Sequence, residues 1–596
     1  MGDAGRSPLV VSLQLAIIYS ASDLSQEASM HDLVIRGGTI VDGSGDAARE
    51  GDVAIDGDRI AAVGDVSERG REEVDAGGAL VTPGWVDIHT HYDGQATWDP
   101  YLTPSCWHGV TTVVMGNCGV GFAPAKPDRH DWLIGLMEGV EDIPGTALAE
   151  GIRWKWETFP EYLDALEEMP RAMDVGTQVP HGAVRAYVMG ERGAKNEKPT
   201  PEDIEAMAEI VREGIAAGAL GFSTSRTMLH RAIDGEPVPG TFAGEDELLG
   251  IGRVLGELGQ GVFEMASDLA PEEREFVWME KLSAMTGRPI TYDLLQNDGD
   301  TLQWRRLLDL TQKAAARGTR VTAQIAARPT GLLMNWEGTA HPFQFHKAYR
   351  EIASLPIHER LKRLQDPEVR QRIVAETPEF DNPFAGYVLT AFHKMFQLGD
   401  PPDYEPAPEK SVAAIAEREG RTPQEVVYDL LLQRGGRELV YLPVLNYSDG
   451  DFEPIREMLL HPNTVVSLSD GGAHCGVICD AGTPTFLLTH WVRDRTRGER
   501  LPLEYMVRRQ TLETASLYGL HDRGLLAPGK KADVNIIDLD RLRLLPPELV
   551  FDLPASGKRL IQKADGYRAT IKSGQVTFEG GDPTGALPGK VLRGEQ

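Results

Sequence analysis

The sequence predicts an α/β fold centred on a (β/α)8, TIM-like barrel, and three observations carry that prediction. Between about residues 81 and 523, short apolar runs alternate with stretches in which apolar residues recur at helical spacing, as a parallel sheet with helical crossovers requires. Polar side chains able to do chemistry stand at the C-terminal ends of several of these runs, where barrel enzymes collect them. A length of 596 residues exceeds one ordinary domain and fits a large barrel with a smaller satellite.

Taken in order, residues 1–29 hold an apolar run, 8–18, after a single arginine. It is too short for a membrane span and is interrupted by Gln14, so 1–29 reads as an N-terminal extension from an upstream gene start, with a weak signal peptide as the alternative. Residues 30–80 carry short alternating strands at 32–35, 38–41, 52–55 and 60–63, separated by glycine turns. Such a meander cannot bury itself, and its complement appears at the far end, in a strand at 534–537 and a hairpin over 567–578. Between the ends, eight core strands are expected: within 79–93, at 111–115, and near 174–179, 219–223, 261–266, 289–295, 319–326 and 464–468. Helices fall between them, for example at 201–217 and 245–258. Insertions near 128–170, rich in Trp and acidic residues, and near 330–440, mostly helical, are expected to shape a pocket or a subunit contact. Residues 439–445 read as an additional strand entering the last part of the barrel.

The chemistry concentrates in the run from Ala79 to Asp93, an apolar strand that stops at His89, His91 and a carboxylate. Strand period 2 puts both imidazoles on one side, within reach of one ion. Fifteen histidines in 596 residues give roughly 0.4 such pairs by chance, so spacing alone decides nothing and context must. Asp87 precedes the pair, the next strand ends in Gly116-Asn-Cys118-Gly-Val-Gly121, and the 464–472 run delivers Asp470 at its end.

Together with His181-Gly182 and Arg185, the run 218–224, and Ser469-Asp470-Gly471, these motifs resemble the amidohydrolase superfamily and, within it, the N-acyl-D-amino-acid deacylase (D-aminoacylase-like) group. The resemblance covers nearly everything from Met30, which looks like a natural start for the group. It implies that both chain ends build one small discontinuous β-sandwich, 30–80 with 524–596, beside an 81–523 barrel. It also implies metal-dependent hydrolysis of the amide of an N-acylated D-amino acid. Asp470 would then be metal ligand, general base and general acid, and Cys118 a metal-ligand thiolate.

Two departures from the group stand out. Its fifth and sixth strands each supply a histidine, but this chain offers only Glu264 and Asp293 there. Either one of these substitutes, or a single ion is held by His89, His91 and Asp470 with Cys118 nearby, which is the simpler reading. The group's lysine, which helps hold a substrate carboxylate, is replaced at about Gln296, and Arg328 is the candidate replacement because guanidinium binds carboxylate bidentately. His181, Arg185, Ser223 and His474 are candidate pocket residues, and Cys475 and Cys479 read as buried thiols. One zinc ion is expected, with two ions, or manganese or cobalt, as the alternatives. Hydrolysis of another linear or cyclic amide, such as a lactam, hydantoin or xenobiotic, is the second enzyme reading, and a non-catalytic scaffold the reading from another class.

Ninety acidic against sixty basic residues give a net charge of −30, which argues against nucleic acid and anionic membrane as partners. Four cysteines fit a reducing, cytoplasmic compartment rather than a disulfide framework. The expected partner is a small-molecule amide, with a homo-oligomer allowed.

Overall fold

The computed structural model describes residues 30–594 except Asp381, so the extension expected over 1–29 lies outside the described residues. Nine short segments form the parallel pairings that position the site: β1 (Trp85–Asp87), β2 (Val110–Met115), β3 (Asp174–Thr177), β4 (Val179–Pro180), β5 (Gly221–Arg226), β6 (Val262–Ser267), β7 (Ile290–Leu294), β8 (Val321–Ile325) and β9 (Thr464–Val466). Only Gln178 separates β3 from β4. The partners follow chain order, β1 with β2, β2 with β3, then β4 with β5 and so on through β8 with β9. Beyond the last strand the pairing returns to the first: Thr90 bridges Gly471 in parallel, and the His91 N–H donates to the Gly471 carbonyl at 2.8 Å.

The strands read as continuous apolar runs because both faces are covered; every residue of Val110–Met115 is buried. The intervening helices are bounded by local chemistry. Pro201–Ala217 opens on a capping box between Thr200 and Asp203 and stops at left-handed Gly218, and Glu245–Leu258 stops at Gly259. These start and stop signals match the expected spans.

The two chain ends meet in one nine-stranded sheet. Its Leu80–Pro83 strand pairs antiparallel with Val534–Ile537 and parallel with His31–Ile40. Gly84 alone then joins that strand to β1, and a Cβ there would stand 2.3 Å from Thr111 Oγ1, so only glycine lets the backbone pass. The sheet from the chain ends thus feeds directly into the histidine-bearing segment.

The strand expected over 439–445 exists as Val440–Pro443, but it does not join the parallel set. It pairs antiparallel with Gly331–Met334 and Phe396–Gln397. The reason is packing: Val440 and Leu442 bury against Met334, Trp336, Phe343 and Tyr428 in a core belonging to the second insertion.

Candidate metal centre

His89 and His91 lie just past β1, both buried, with ring centroids 5.3 Å apart. Period 2 does place them on one side, and the carboxylate that joins them comes from the far end of the chain. One oxygen of Asp470, Oδ1, lies 3.7 Å from His89 Nε2 and 3.8 Å from His91 Nε2. Asp87 sits behind, accepting from the Ser469 hydroxyl and from the His89 N–H at 3.4 Å, so it anchors the two loops to each other.

Cys118 reaches the same space from the end of β2, its Sγ 3.3 Å from His89 Nε2. The turn that carries it is held from three sides. Asn117 donates to the carbonyls of Thr90 and Val114, and the Ser223 hydroxyl accepts from the Gly119 N–H at 3.1 Å while donating to the Gly116 carbonyl at 2.5 Å. Cys118, Leu468, Asp470 and His474 all adopt φ between 47° and 58°. Non-glycine residues hold such backbone only where the surroundings fix it, and such strain gathers at functional sites.

The two strands that lack histidine complete the arrangement. Glu264 on β6 accepts from the Cys118 N–H at 2.9 Å through Oε2, and Asp293 on β7 lies 3.6 Å from His89 Nδ1. The donor atoms of His89, Cys118, Glu264 and Asp293 all lie within 4.8 Å of one another, as do those of His89, His91 and Cys118. Glu264 is therefore inside the donor cluster.

The electrostatics of this space are unbalanced. Burial pushes Glu264 up to about 8, and burial with the neighbouring carboxylates pushes Asp293 and the Cys118 thiol well up. Burial lowers His89 to about 4. His91 rises to about 9 because the charges of Glu141 and Asp470 outweigh its burial, and Asp470 is held low because the imidazoles outweigh its own. Glu264 Oε1 and Asp293 Oδ1 are buried with no hydrogen-bond partner. Carboxylates, a thiol and imidazoles converging with unpaired lone pairs fit a divalent cation, whose charge would restore their ionised forms.

Other expected pocket residues are committed elsewhere. His181 Nε2 donates to Glu247 Oε1 at 3.1 Å while its Nδ1 meets Thr224 Oγ1 at 2.8 Å, and Arg185 Nε donates to the same carboxylate at 2.6 Å, His181, Arg185 and Glu247 all being buried. Arg328 donates to Asp480 Oδ1 at 2.7 Å and stacks on Tyr404. Gln296 donates to Asp449 Oδ2 at 2.9 Å and accepts from the Ser448 N–H. Ser223 braces the cysteine turn, and His474 lies at the centre's edge with Nε2 3.6 Å from Glu141 Oε2. Cys475 and Cys479 are buried and free, as is Cys106.

Two residues at the centre escape sequence reading. Glu141, the last residue of the insertion helix His130–Glu141, brings Oε1 to 3.3 Å from His91 Nδ1. His230, in the loop after β5, bonds Ser225 Oγ through Nδ1 at 3.0 Å, and its protonation is disfavoured first by burial and then by His474 and His91. Neither stands at a strand end, and the helix terminus Glu-Gly-Val-Glu141 reads as a solvated face.

Known proteins resemble this chain over most of its length. An N-acyl-D-aspartate deacylase of Alcaligenes xylosoxydans xylosoxydans is 26% identical over 581 residues, covering 96% of this chain and 97% of the relative. The crystal structure of D-aminoacylase superposes with a TM-score of 0.62 at 24% identity, covering 94% of this chain and all of that one. The N-acyl-D-glutamate deacylase of Bordetella bronchiseptica, solved with zinc and a phosphonate inhibitor, gives 0.61 at 23% identity over 95% of this chain and all of that one. Residues 72–578 match the amidohydrolase family, and the chain belongs to that family of hydrolases acting on C–N amide bonds.

Proposed function

We propose that this protein hydrolyses the amide bond of N-acylated amino acids, of D configuration, with Asp470 as general base and acid beside a metal held by His89, His91, Cys118 and Asp470. The observation that carries the reading is one Asp470 oxygen placed within 3.8 Å of the Nε2 atoms of both histidines, beside a thiol and two carboxylates that each bury an oxygen without a hydrogen-bond partner. A divalent ion bound there would polarise a carbonyl and acidify a water at neutral pH. Asp470 takes a proton from the attacking water and returns it to the departing nitrogen as the C–N bond breaks, leaving a carboxylic acid and a free amine. Asp87 and Ser469 keep the Asp470 loop in register with the histidine loop, and Ser223 keeps Cys118 in its left-handed turn.

Zinc suits the imidazole and thiolate donors, while Glu264 and Asp293 also suit manganese or cobalt. One ion is the simplest count; the group of His89, Cys118, Glu264 and Asp293 offers a second donor set that shares His89. In this reading the nine parallel segments close into a (β/α)8 barrel over 81–523, with 30–80 and 524–596 as the two parts of a β-sandwich. The pairing of Thr90 with Gly471 and the shared nine-stranded sheet support that layout. The four free thiols support a cytoplasmic setting, and among the described residues no helix is long and apolar enough to cross a membrane.

One observation favours hydrolysis of another amide, linear or cyclic. Arg328 Nε and Nη2 are engaged by Asp480 and the Gln296 amide by Asp449, which leaves a substrate carboxylate only the buried Arg328 Nη1 and no bidentate clamp. A panel of N-acetyl and longer N-acyl D- and L-amino acids, run beside a hydantoin and a lactam on protein of measured metal content, decides between the readings. Turnover confined to the cyclic amides would overturn the first, and protein lacking stoichiometric metal and all turnover would overturn both.

A further inference from the structure

The insertion that supplies Glu141 has no part in the chemistry so far, yet it places a buried carboxylate against the metal centre. A helix C-terminus carries partial negative charge, so a carboxylate at its last position is locally unfavourable and needs a partner. Burial makes that need stronger, and Glu141 is only 1% exposed. Its Oε1 and His91 Nδ1 are each buried without another hydrogen-bond partner, and they face each other at 3.3 Å. The other oxygen faces His474 Nε2 at 3.6 Å, and the Glu141 carbonyl accepts from the His474 N–H. The following residue, Asp142, with φ 50°, continues the clasp by accepting from the Gly476 N–H at 3.0 Å and from the Thr339 hydroxyl at 3.2 Å.

We propose that Glu141 is a positioning residue that sets the tautomer of His91. With Nδ1–H directed at Glu141, both buried atoms are satisfied, and Nε2, which faces Asp470 Oδ1 at 3.8 Å, is the nitrogen that would give up its proton and offer a lone pair to a cation. The same helix end pins the 470–476 loop, so the insertion couples the orientation of one histidine to the placement of the general base. This inference rests on His91 being a metal ligand.

The test is zinc affinity of the full-length protein, by competition with a chelator, together with the visible spectrum of the cobalt-loaded protein. E141Q keeps the shape but lets the amide present N–H to Nδ1, which favours the wrong tautomer; zinc affinity should fall about 10–100-fold and the cobalt spectrum should change. D142N removes only the loop clasp and should leave both close to wild type. If E141Q does not fold, E141D, which withdraws the carboxylate by one methylene, serves instead with the same expected loss. Wild-type affinity in a folded E141 variant, or an equal loss in D142N, would overturn the tautomer role. Wild-type protein that binds no zinc would instead refute the metal reading on which it rests.

Discussion

The two halves of the centre solve the burial of charge in opposite ways. On the side built by the ends of β1 and β9, opposite charges meet: His91 is raised to about 9 by Glu141 and Asp470, and Asp470 is held low by the two imidazoles. On the side built by β6 and β7, like groups meet: Glu264 is driven up to about 8, and Asp293 and Cys118 rise with it. The first side is balanced as it stands. The second is balanced only by an added cation, because buried carboxylates that cannot pair must otherwise stay protonated. In the proposed reading the acidic strands create the demand for a metal, and the imidazole side gives it a reactive edge.

The largest effect should come from the group proposed as acid and base. Asp470→Asn preserves shape but removes proton transfer, and turnover of an N-acyl-D-amino acid by the folded variant should fall by about 10²–10⁴. Near-normal turnover in the folded variant would remove Asp470 from the mechanism. Next come the histidines, which the comparison ranks: His89 belongs to both donor groups, His91 to one. His89→Ala should lose more bound metal than His91→Ala, measured as metal per chain after dialysis, and the reverse order would mean that the acidic half binds independently of β1.

How much of this was legible follows from the range over which each signal acts. Strand period and the His-x-His spacing are local, so the paired imidazoles and the eight strands could be read directly. Asp470 was visible as a carboxylate closing an apolar run. The fate of Arg328 was not, because its partner Asp480 lies 152 residues away and no local pattern announces the pair. Glu264 was visible as a departure from the expected histidine, but its contact with the Cys118 N–H exists only once β2 and β6 face each other across the fold. Glu141 was least legible, since a Glu ending an insertion helix looks solvated until tertiary packing buries it.

The carboxylate half can be tested separately. Glu264→Gln and Asp293→Asn each remove one negative charge from a donor cluster while keeping volume, and charge is a large part of what holds a divalent ion. Both should lower metal content or affinity clearly, with smaller losses than His89→Ala because each leaves the other carboxylate in place. Full occupancy in both variants would confine the metal to the imidazole side and restore the simpler single site of His89, His91 and Asp470.

The smallest expected effect is the pH dependence of the metal-free protein, and its sign separates the halves again. Glu264 at about 8 lies above its ordinary 4.5, so the fold retains a proton that the unfolded chain gives up. The stability this contributes is complete below about 4.5 and is lost as pH rises through 8. Asp87 and Asp93, both raised to about 7 chiefly by burial, and His91 at about 9 act in the same direction. Asp470, held low, acts oppositely, its contribution fading only as pH falls into the acid range. Buried His89, lowered to about 4, and His230, lowered to about 3, favour the fold as pH rises to about 6.5, so the thermal midpoint of metal-free protein should decline between about pH 6.5 and 8, where only the raised groups titrate. Glu264→Gln should make that decline shallower without abolishing it, since the other raised groups remain. Added zinc should reverse it, because ion binding is favoured by the same deprotonation that destabilises the empty fold. A midpoint that rises across that interval in metal-free wild type would show that the acidic half is not buried as a protonated cluster.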